Sequence, residues 1–202
     1  MNNSRPKVRI SRAIGIPLTP KSTRYFERRP FPPGVHGRTR RKQSDYSVRL
    51  QEKQRLRHQY NVSERHMRRM FATAVKAPGK TGEVLISLLE RRLDAVVLRA
   101  GFARTIYEAR QFVSHGHVTV EGAKVDIPSY RLRPGQVVSI RNSSRDKAPF
   151  RLAAAGANAP ETVPSYLEVS LPDLHISLLA VPERRQVPVI CDEQLVVEFY
   201  SR

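Results

Sequence analysis

The fold is decided by residues 91–141, which read RRLDAVVLRAGFARTIYEARQFVSHGHVTVEGAKVDIPSYRLRPGQVVSIR. Apolar residues at helical spacing continue into this stretch and stop at Gly101, since glycine readily takes the left-handed conformation of a helix terminus. A capping box predicts a second helix, in which the Thr105 hydroxyl accepts from the Glu108 amide and the Glu108 carboxylate accepts from the Thr105 amide. The spacing gives this helix a buried stripe formed by Ile106, Ala109, Phe112 and Val113.

Three short strands are predicted after the second helix. Residues 118–120 and 123–125 are two short strand-like runs separated by Glu121-Gly122, which predicts a tight hairpin. Asn or Asp would tolerate positive φ better than Glu121 at this turn. A third strand, 137–140, follows the Pro134-Gly135 turn. Two helices on a short antiparallel sheet form an α+β unit of marginal size, which favours a binding module over an enzyme.

The charge of the chain is distributed unevenly. The 202 residues carry a net charge of +18. Residues 1–80 hold 21 Lys and Arg against 4 Asp and Glu, an excess of 17, whereas the other 122 residues hold 15 against 14. Such a concentration is self-repelling unless a polyanion neutralises it, so nucleic acid is favoured over a membrane surface or simple solubility.

Other compositional features limit the class of protein. No segment has the length and apolar character of a membrane span or a signal peptide, so a cytoplasmic protein is predicted. The single cysteine, Cys191, excludes an internal disulfide and is predicted to be a structural thiol. These features indicate neither a membrane partner nor thiol chemistry.

The chain flanking the module is predicted to form three further parts. Residues 1–44 form a basic arm without sustained periodicity, whose apolar residues anchor it and whose rings can stack on bases; the alternative is a disordered tail. Residues 45–90 form a helical domain with a cap at Ser63. Residues 142–163 are a connection in which 150–155 can be helical, and 164–202 return to pack on the N-terminal helices.

Several motifs carry a resemblance to a known family. The module resembles the RNA-binding module named after bacterial small-subunit ribosomal protein four, through Arg92-Leu93-Asp94, Glu108-Ala109-Arg110-Gln111 and Ser114-His115-Gly116-His117. Motifs outside the module are similar to the same family, namely Pro33-Gly34-Val35-His36-Gly37, Ser44-Asp45-Tyr46 and Tyr60-Asn61-Val62-Ser63-Glu64-Arg65. The chain is therefore identified as a member of that family.

The resemblance implies a structural protein of the small ribosomal subunit. It implies binding to the five-prime domain of small-subunit (16S) rRNA during assembly, contact with small-subunit protein five, a place near proteins three and twelve and the channel by which mRNA enters, and an influence on translational accuracy. Many members bind zinc through N-terminal cysteines, but Val8 and Ser11 occupy the places of the first pair here. We therefore expect no metal, cofactor, small-molecule substrate or catalytic residue.

The expected RNA contacts are cationic and polar side chains from both halves of the chain. In the N-terminal half they are Arg5, Lys7, Arg9, Arg12, Arg38, Arg40, Arg41, Arg49, Lys53 and Arg57. In the module they are Arg92, Arg104, Arg110, Gln111, Ser114, His115 and His117. For the two histidines, capping of the helix end is an equal alternative.

Two other functional classes stay open at this stage. The first is an RNA-modifying enzyme of the pseudouridine synthase type, because such enzymes couple this module to an essential aspartate and Asp94 has a similar setting. The second is a stress-related RNA-binding factor that joins ribosomes transiently. Uridine isomerisation by the pure protein tests the first alternative, and high-salt washing of small subunits tests the second.

Overall fold

The computed structural model describes residues 6–39 and 42–201 of the chain. In chain order its elements are α1 Lys7–Ile14, α2 Pro20–Arg28, α3 Asp45–Gln59, α4 Glu64–Lys76, α5 Thr81–Glu90, α6 Leu93–Arg99, α7 Ile106–Ser114, β1 Val118–Val120, β2 Ala123–Lys124, β3 Val137–Ile140, α8 Asn142–Arg145, α9 Ala148–Ala154, β4 Leu167–Ser170, β5 His175–Leu178, a 3-10 turn Arg184–Gln186 and α10 Glu193–Tyr200. The predicted α+β class is confirmed.

The chain divides into two compact units. The first comprises Met1–Gly82 and Val189–Arg202, and the second comprises Glu83–Pro188. None of the helices in the described ranges combines the length and apolar character that a bilayer-spanning segment needs.

The first unit is helical, and its N-terminal arm is more ordered than the sequence pattern suggests. The arm forms α1 and α2, and the Thr19 hydroxyl caps α2 by accepting from the Ser22 amide at 3.2 Å. Ile10, Ile14 and Ile16 are buried together, with Leu18 packed against them. The anchors were expected, but the helices were not, because short helices depend on tertiary burial more than on intrinsic propensity.

The C-terminal helix completes the first unit by packing on α3. The ring of Tyr46 lies 5.8 Å from that of Phe199, and Phe71 lies 5.0 Å from Tyr200, measured between centroids. The predicted cap of α4 is confirmed, since the Ser63 hydroxyl accepts from the His66 amide at 3.3 Å.

The second unit is built on a five-stranded antiparallel sheet of order β2-β1-β3-β5-β4. Val118 is opposite Ile140, and Val138 is opposite Ile176, so these buried side chains share one face of the sheet. Helices α6 and α7 pack on each other, and the Phe112 ring lies 4.7 Å from the ring of Phe150 in α9.

The predicted hairpin between β1 and β2 is present. Glu121 and Gly122 both adopt positive φ, 50° and 77°. Positive φ at two successive positions matches the twist of a two-residue hairpin. The Glu121 carboxylate also accepts a hydrogen bond from the Val137 amide, which ties the turn to β3.

Two local predictions about the helices are corrected. The apolar stripe that enters the module does not belong to one helix, because α5 ends at Glu90 and α6 begins at Leu93, with Arg92 in an isolated bridge to Arg131. The Thr105 hydroxyl does accept from the Glu108 amide at 3.2 Å, but the Glu108 carboxylate accepts from the Arg104 amide, one residue earlier than expected.

The structure also divides the C-terminal quarter differently from the sequence-based expectation. Residues 167–178 form β4 and β5 and extend the sheet of the second unit, so only the part from Val189 belongs with the N-terminal helices. The expected connection, 142–163, contains α8 and α9, and α9 is held by the buried ring of Phe150. Strand β5 pairs with β3, which is distant in the sequence, whereas β4 and β5 pair with each other as a local hairpin that was not expected.

Candidate nucleic-acid interface

Helix α7 presents a polar surface on the side opposite its core stripe. Ile106, Ala109, Phe112 and Val113 are buried, as the helical period predicts. The residues between them face solvent: Gln111, Ser114 and His115 are exposed, and the Arg110 side chain is about one-third exposed at 33%. We call the set Arg104, Arg110, Gln111, Ser114, His115 and His117 the α7 surface; Arg110 and His117 are partly buried, and the other four are exposed.

Arg110 is held in place by a buried carboxylate. Asp94 is fully buried, and the Arg92 guanidinium donates to both of its oxygens at 2.9 and 2.6 Å. The nearest guanidinium nitrogen of Arg110 lies 3.8 Å from the same carboxylate. Burial raises the pKa of Asp94, and the charges of Arg92 and Arg110 oppose that rise.

Arg92 was predicted to contact RNA, and its position contradicts that role. Its side chain is 2% exposed and is committed to Asp94, so it cannot reach a backbone phosphate. The same observation removes Asp94 as a catalytic group, because a carboxylate with no solvent exposure and a bidentate arginine cannot approach a nucleobase.

The C-terminal end of α7 carries a concentration of positive charge. The His117 Nδ1 lies 2.9 Å from the Ser144 hydroxyl, and its ring contacts the Phe150 ring at 5.4 Å. Burial lowers the pKa of His117, and the nearby charges of Lys147, His115 and Arg141 lower it further. Both effects favour the neutral imidazole, while the cations around it remain available to a polyanion.

Arg104 marks the other end of the α7 surface. It is exposed, and its Nε donates to the Asn158 side-chain oxygen at 2.9 Å. Six of the seven residues predicted in the module thus lie on or beside α7, and Arg92 is the exception.

In the arm, two predicted residues enclose an aromatic ring. The guanidinium carbon of Arg12 lies 5.1 Å from the Phe31 centroid, and that of Arg38 lies 4.9 Å from it. Arg12 Nε also donates to the carbonyls of Arg29 and Phe31, at 3.1 and 3.0 Å. Arg12 therefore folds the segment after α2, and Arg38 remains exposed.

The other predicted arm residues are at the start of the chain and beside Thr39. Arg9 is exposed on α1, whereas Lys7 is half-buried and burial lowers its pKa. Arg5, Arg40 and Arg41 lie outside the described residues.

The predicted cations of α3 hold helices together. Arg49 pairs with Glu198 of α10 at 2.7 Å. Lys53 pairs with Glu64 at 2.9 Å, lies over the Phe199 ring at 4.6 Å and is only 4% exposed, so its ammonium group faces other protein groups and not solvent. Arg57 lies 3.8 Å from the same Glu64 carboxylate.

Sequence reasoning missed two rows of exposed cations in the first unit. Lys21, Arg24 and Arg28 follow one face of α2, and Arg65, Arg69 and Lys76 lie on the exposed side of α4. None of these six side chains makes an ion pair with another described residue. The cations of α2 were missed because the arm was not expected to be helical, whereas α4 lies in the predicted helical domain and its cations were not included among the expected contacts.

Nothing in the described ranges resembles a metal centre, since no group of three or more His, Cys, Asp or Glu side chains converges there. The arrangement of exposed cations and neutral donors can position a large anion.

Comparison with known proteins agrees with this geometry. Residues 2–90 match the family model described as the ribosomal protein S4/S9 N-terminal domain, and residues 91–138 match the S4 domain. The fold and the α7 surface thus define an RNA-binding protein of the S4-domain class.

Full-length relatives identify the family. The chain is 59% identical over 202 residues to small ribosomal subunit protein uS4 of Streptomyces griseus, covering 100% of this chain and 99% of the relative. It is 57% identical over 203 residues to uS4 of Thermobifida fusca, with 100% of both covered, and 57% identical over 203 residues to uS4 of Micrococcus luteus, with 98% and 97% covered. The chain belongs to the uS4 family of ribosomal proteins. Membership of this structural family confirms that the chain is not an enzyme.

Proposed function

We propose that this protein is a structural component of the small ribosomal subunit that binds folded small-subunit rRNA through the α7 surface and through the exposed cations of α2 and α4. The observation that carries the proposal is the excess of 17 positive charges in residues 1–80, together with rows of arginine and lysine that no described carboxylate neutralises. RNA phosphates supply the missing negative charge, and their condensed counterions are released on binding.

The mode of binding follows from the shape of RNA. A-form helices hide their bases in a deep, narrow major groove, so a rigid protein reads backbone geometry and splayed junction nucleotides. Arginine suits this task, because its planar fork pairs with two phosphate oxygens at once. The α7 surface offers arginine forks beside neutral donors, Gln111 and Ser114, that can contact 2′-hydroxyls.

The finer assignment rests on the family resemblance and on the names of the relatives. We propose that the RNA target is the five-prime domain of 16S rRNA and that binding helps to organise it during assembly. The same reasoning assigns contact with protein five, a position near proteins three and twelve and the channel by which mRNA enters, and a contribution to translational accuracy.

A binding assay with matched transcripts tests the proposal. Filter-binding titrations compare the full chain on a transcript of the 16S five-prime domain and on the three-prime domain at the same salt concentration. The expected result is tighter binding to the five-prime domain, with a logarithm of affinity that falls linearly with the logarithm of salt concentration. Equal affinity for both transcripts would contradict the proposed target.

A second measurement separates an integral protein from a transient ribosome-associated factor. Small subunits that carry the tagged protein are washed in about 1 M salt, at which the Debye length falls to about 3 Å. An integral protein remains bound because its contacts are buried in folded RNA, and release of the whole population would favour the transient factor.

A further inference from the structure

Three arginines converge in the second unit away from the residues predicted to bind RNA. Arg91 lies between α5 and α6, and the segment that holds Arg131 and Arg133 runs alongside it. The Leu132 amide donates to the Arg91 carbonyl at 2.9 Å, and the Leu93 amide donates to the Tyr130 carbonyl at 2.9 Å. These bonds fix both backbones against each other.

Burial of one residue directs its neighbours outward. Leu132 is fully buried, while Arg131 and Arg133 on either side of it are exposed. In an extended segment, residues two apart lie about 6.6 Å from each other on the same side. Two guanidiniums are therefore presented side by side at a fixed backbone position.

Arg91 is the third member and is itself fixed. Its Nε donates to the Leu132 carbonyl at 2.9 Å, which leaves the terminal nitrogens of the fork for another acceptor. Burial lowers the pKa of Arg91, and repulsion from Arg131 and Arg133 lowers it further. In the described part of the chain, no carboxylate pairs with any of them.

We propose that Arg91, Arg131 and Arg133 form a binding site for RNA backbone phosphates, separate from the α7 surface. The inference rests on the proposed function and adds a contact site to it. Three like charges held together are unfavourable alone, and phosphate is the anion that an arginine fork matches with two hydrogen bonds.

Continuity with the α7 surface favours RNA over an acidic protein segment. Arg92, which forms the backbone bridge to Arg131, binds the Asp94 carboxylate that also lies 3.8 Å from Arg110. One RNA that contacts Arg110 therefore has the three-arginine site within reach.

The salt dependence of binding tests this site in the full-length protein. The variant Arg131→Ala/Arg133→Ala is titrated with a transcript of the 16S five-prime domain between about 50 and 200 mM salt. Loss of two phosphate contacts should reduce the slope of log affinity against log salt by about 1.5, since each contact contributes roughly 0.7 to 0.9. The melting temperature should not change, because both side chains are exposed.

Two further variants control for nonspecific charge and for the shape of the cation. Arg185→Ala removes an exposed guanidinium of the same unit, one that already pairs with Glu183 at 2.8 Å, and should keep the wild-type slope. Arg131→Lys/Arg133→Lys keeps both charges and should keep the slope while it weakens binding, because lysine lacks the fork.

The outcomes distinguish this site from the wider proposal. If the wild-type protein does not prefer the five-prime transcript, the proposed function fails. If the wild type prefers it and the double alanine variant keeps the full slope, the three-arginine site alone is refuted. The three-arginine site for RNA is also refuted if the double alanine variant keeps its RNA affinity but loses affinity for poly-glutamate. That result would assign the site to an acidic protein segment.

Discussion

The buried ion pair between Arg92 and Asp94 gives a sharp test of what stabilises the second unit. Asp94 is 0% exposed and Arg92 is 2% exposed, and two hydrogen bonds of 2.9 and 2.6 Å join them. Asp94→Asn keeps the shape of the side chain and removes the charge that compensates the Arg92 guanidinium. Breaking a buried pair by removing one partner costs about 3 to 5 kcal/mol, because the other charge stays buried without compensation.

The expected loss is large enough to measure by urea and thermal unfolding followed by circular dichroism. For a chain of this size, 1 kcal/mol shifts the melting temperature by about 2 to 4 °C, so Asp94→Asn should melt roughly 6 to 20 °C lower than the wild type. The control Asp126→Asn changes an exposed carboxylate of the same unit and should stay within about 0.5 kcal/mol.

A double variant separates charge from packing. Arg92→Met/Asp94→Leu removes both charges and fills a similar volume, and such replacements of a buried pair are often neutral or stabilising. It should recover most of the stability that Asp94→Asn loses. A loss below about 1 kcal/mol in the single variant, or an equal loss in the double variant, would refute the view that an uncompensated charge is the cause.

Three further predictions concern the module core, the α7 surface and the acid stability of the first unit. Phe112→Ala should destabilise the second unit by about 3 to 5 kcal/mol, and an unchanged thermal melt would show that the ring is not core. Arg110→Ala should weaken binding to the five-prime transcript in a filter-binding titration with little change in melting temperature, and equal affinity would exclude its role. Burial raises the pKa of Glu64, but hydrogen bonds from Lys53 and Tyr200 and the charges of Lys53 and Arg57 bring it below its ordinary value. The stability from Glu64 is therefore present above the unfolded pKa of about 4.3 and is lost as pH falls through the lower folded value. Urea midpoints are measured at pH 7 and at about pH 3.5, and Glu64→Gln should remove the part of their difference that comes from Glu64. An unaltered difference would contradict the assignment.

The sequence predicts those features of the fold whose cause is local. The Thr105 cap, the Glu121-Gly122 turn and the strand 137–140 depend on neighbouring residues, and all three are found in the structure. The interruption at 91–92 was not predictable in this way, because the backbone there pairs with residues 40 positions later. The pairing of β5 with β3 is likewise non-local, whereas β4 and β5 pair with each other as a local hairpin that the sequence analysis did not predict.

The candidate site was predictable where exposure follows helical period, as on α7. It was not predictable where a cation is buried against a carboxylate, either 11 residues away, as Glu64 is from Lys53, or two residues away, as Asp94 is from Arg92. In the sequence, Lys53 and Arg92 are indistinguishable from the other cations of their segments. Only the folded chain shows that both side chains are buried and that they pair with Glu64 and Asp94. A rule that counts positive charges therefore overestimates the number of α3 cations that are exposed and unpaired.

The acidic residues of the first unit decide which cations remain available for RNA. Glu52 and Glu64 are two of the 4 acidic residues in residues 1–80, and both pair with cations of α3, as Glu198 of the C-terminal helix does. Helix α3 can therefore pack on its neighbours without self-repulsion. Apart from Arg68, which lies 3.5 Å from Glu64, the cations of α2 and α4 receive no such partner among the described residues, so repulsion persists on their exposed faces until a polyanion binds. The C-terminal helix contributes to this division, because the Glu198 carboxylate that it supplies pairs with Arg49 and joins the helix to α3.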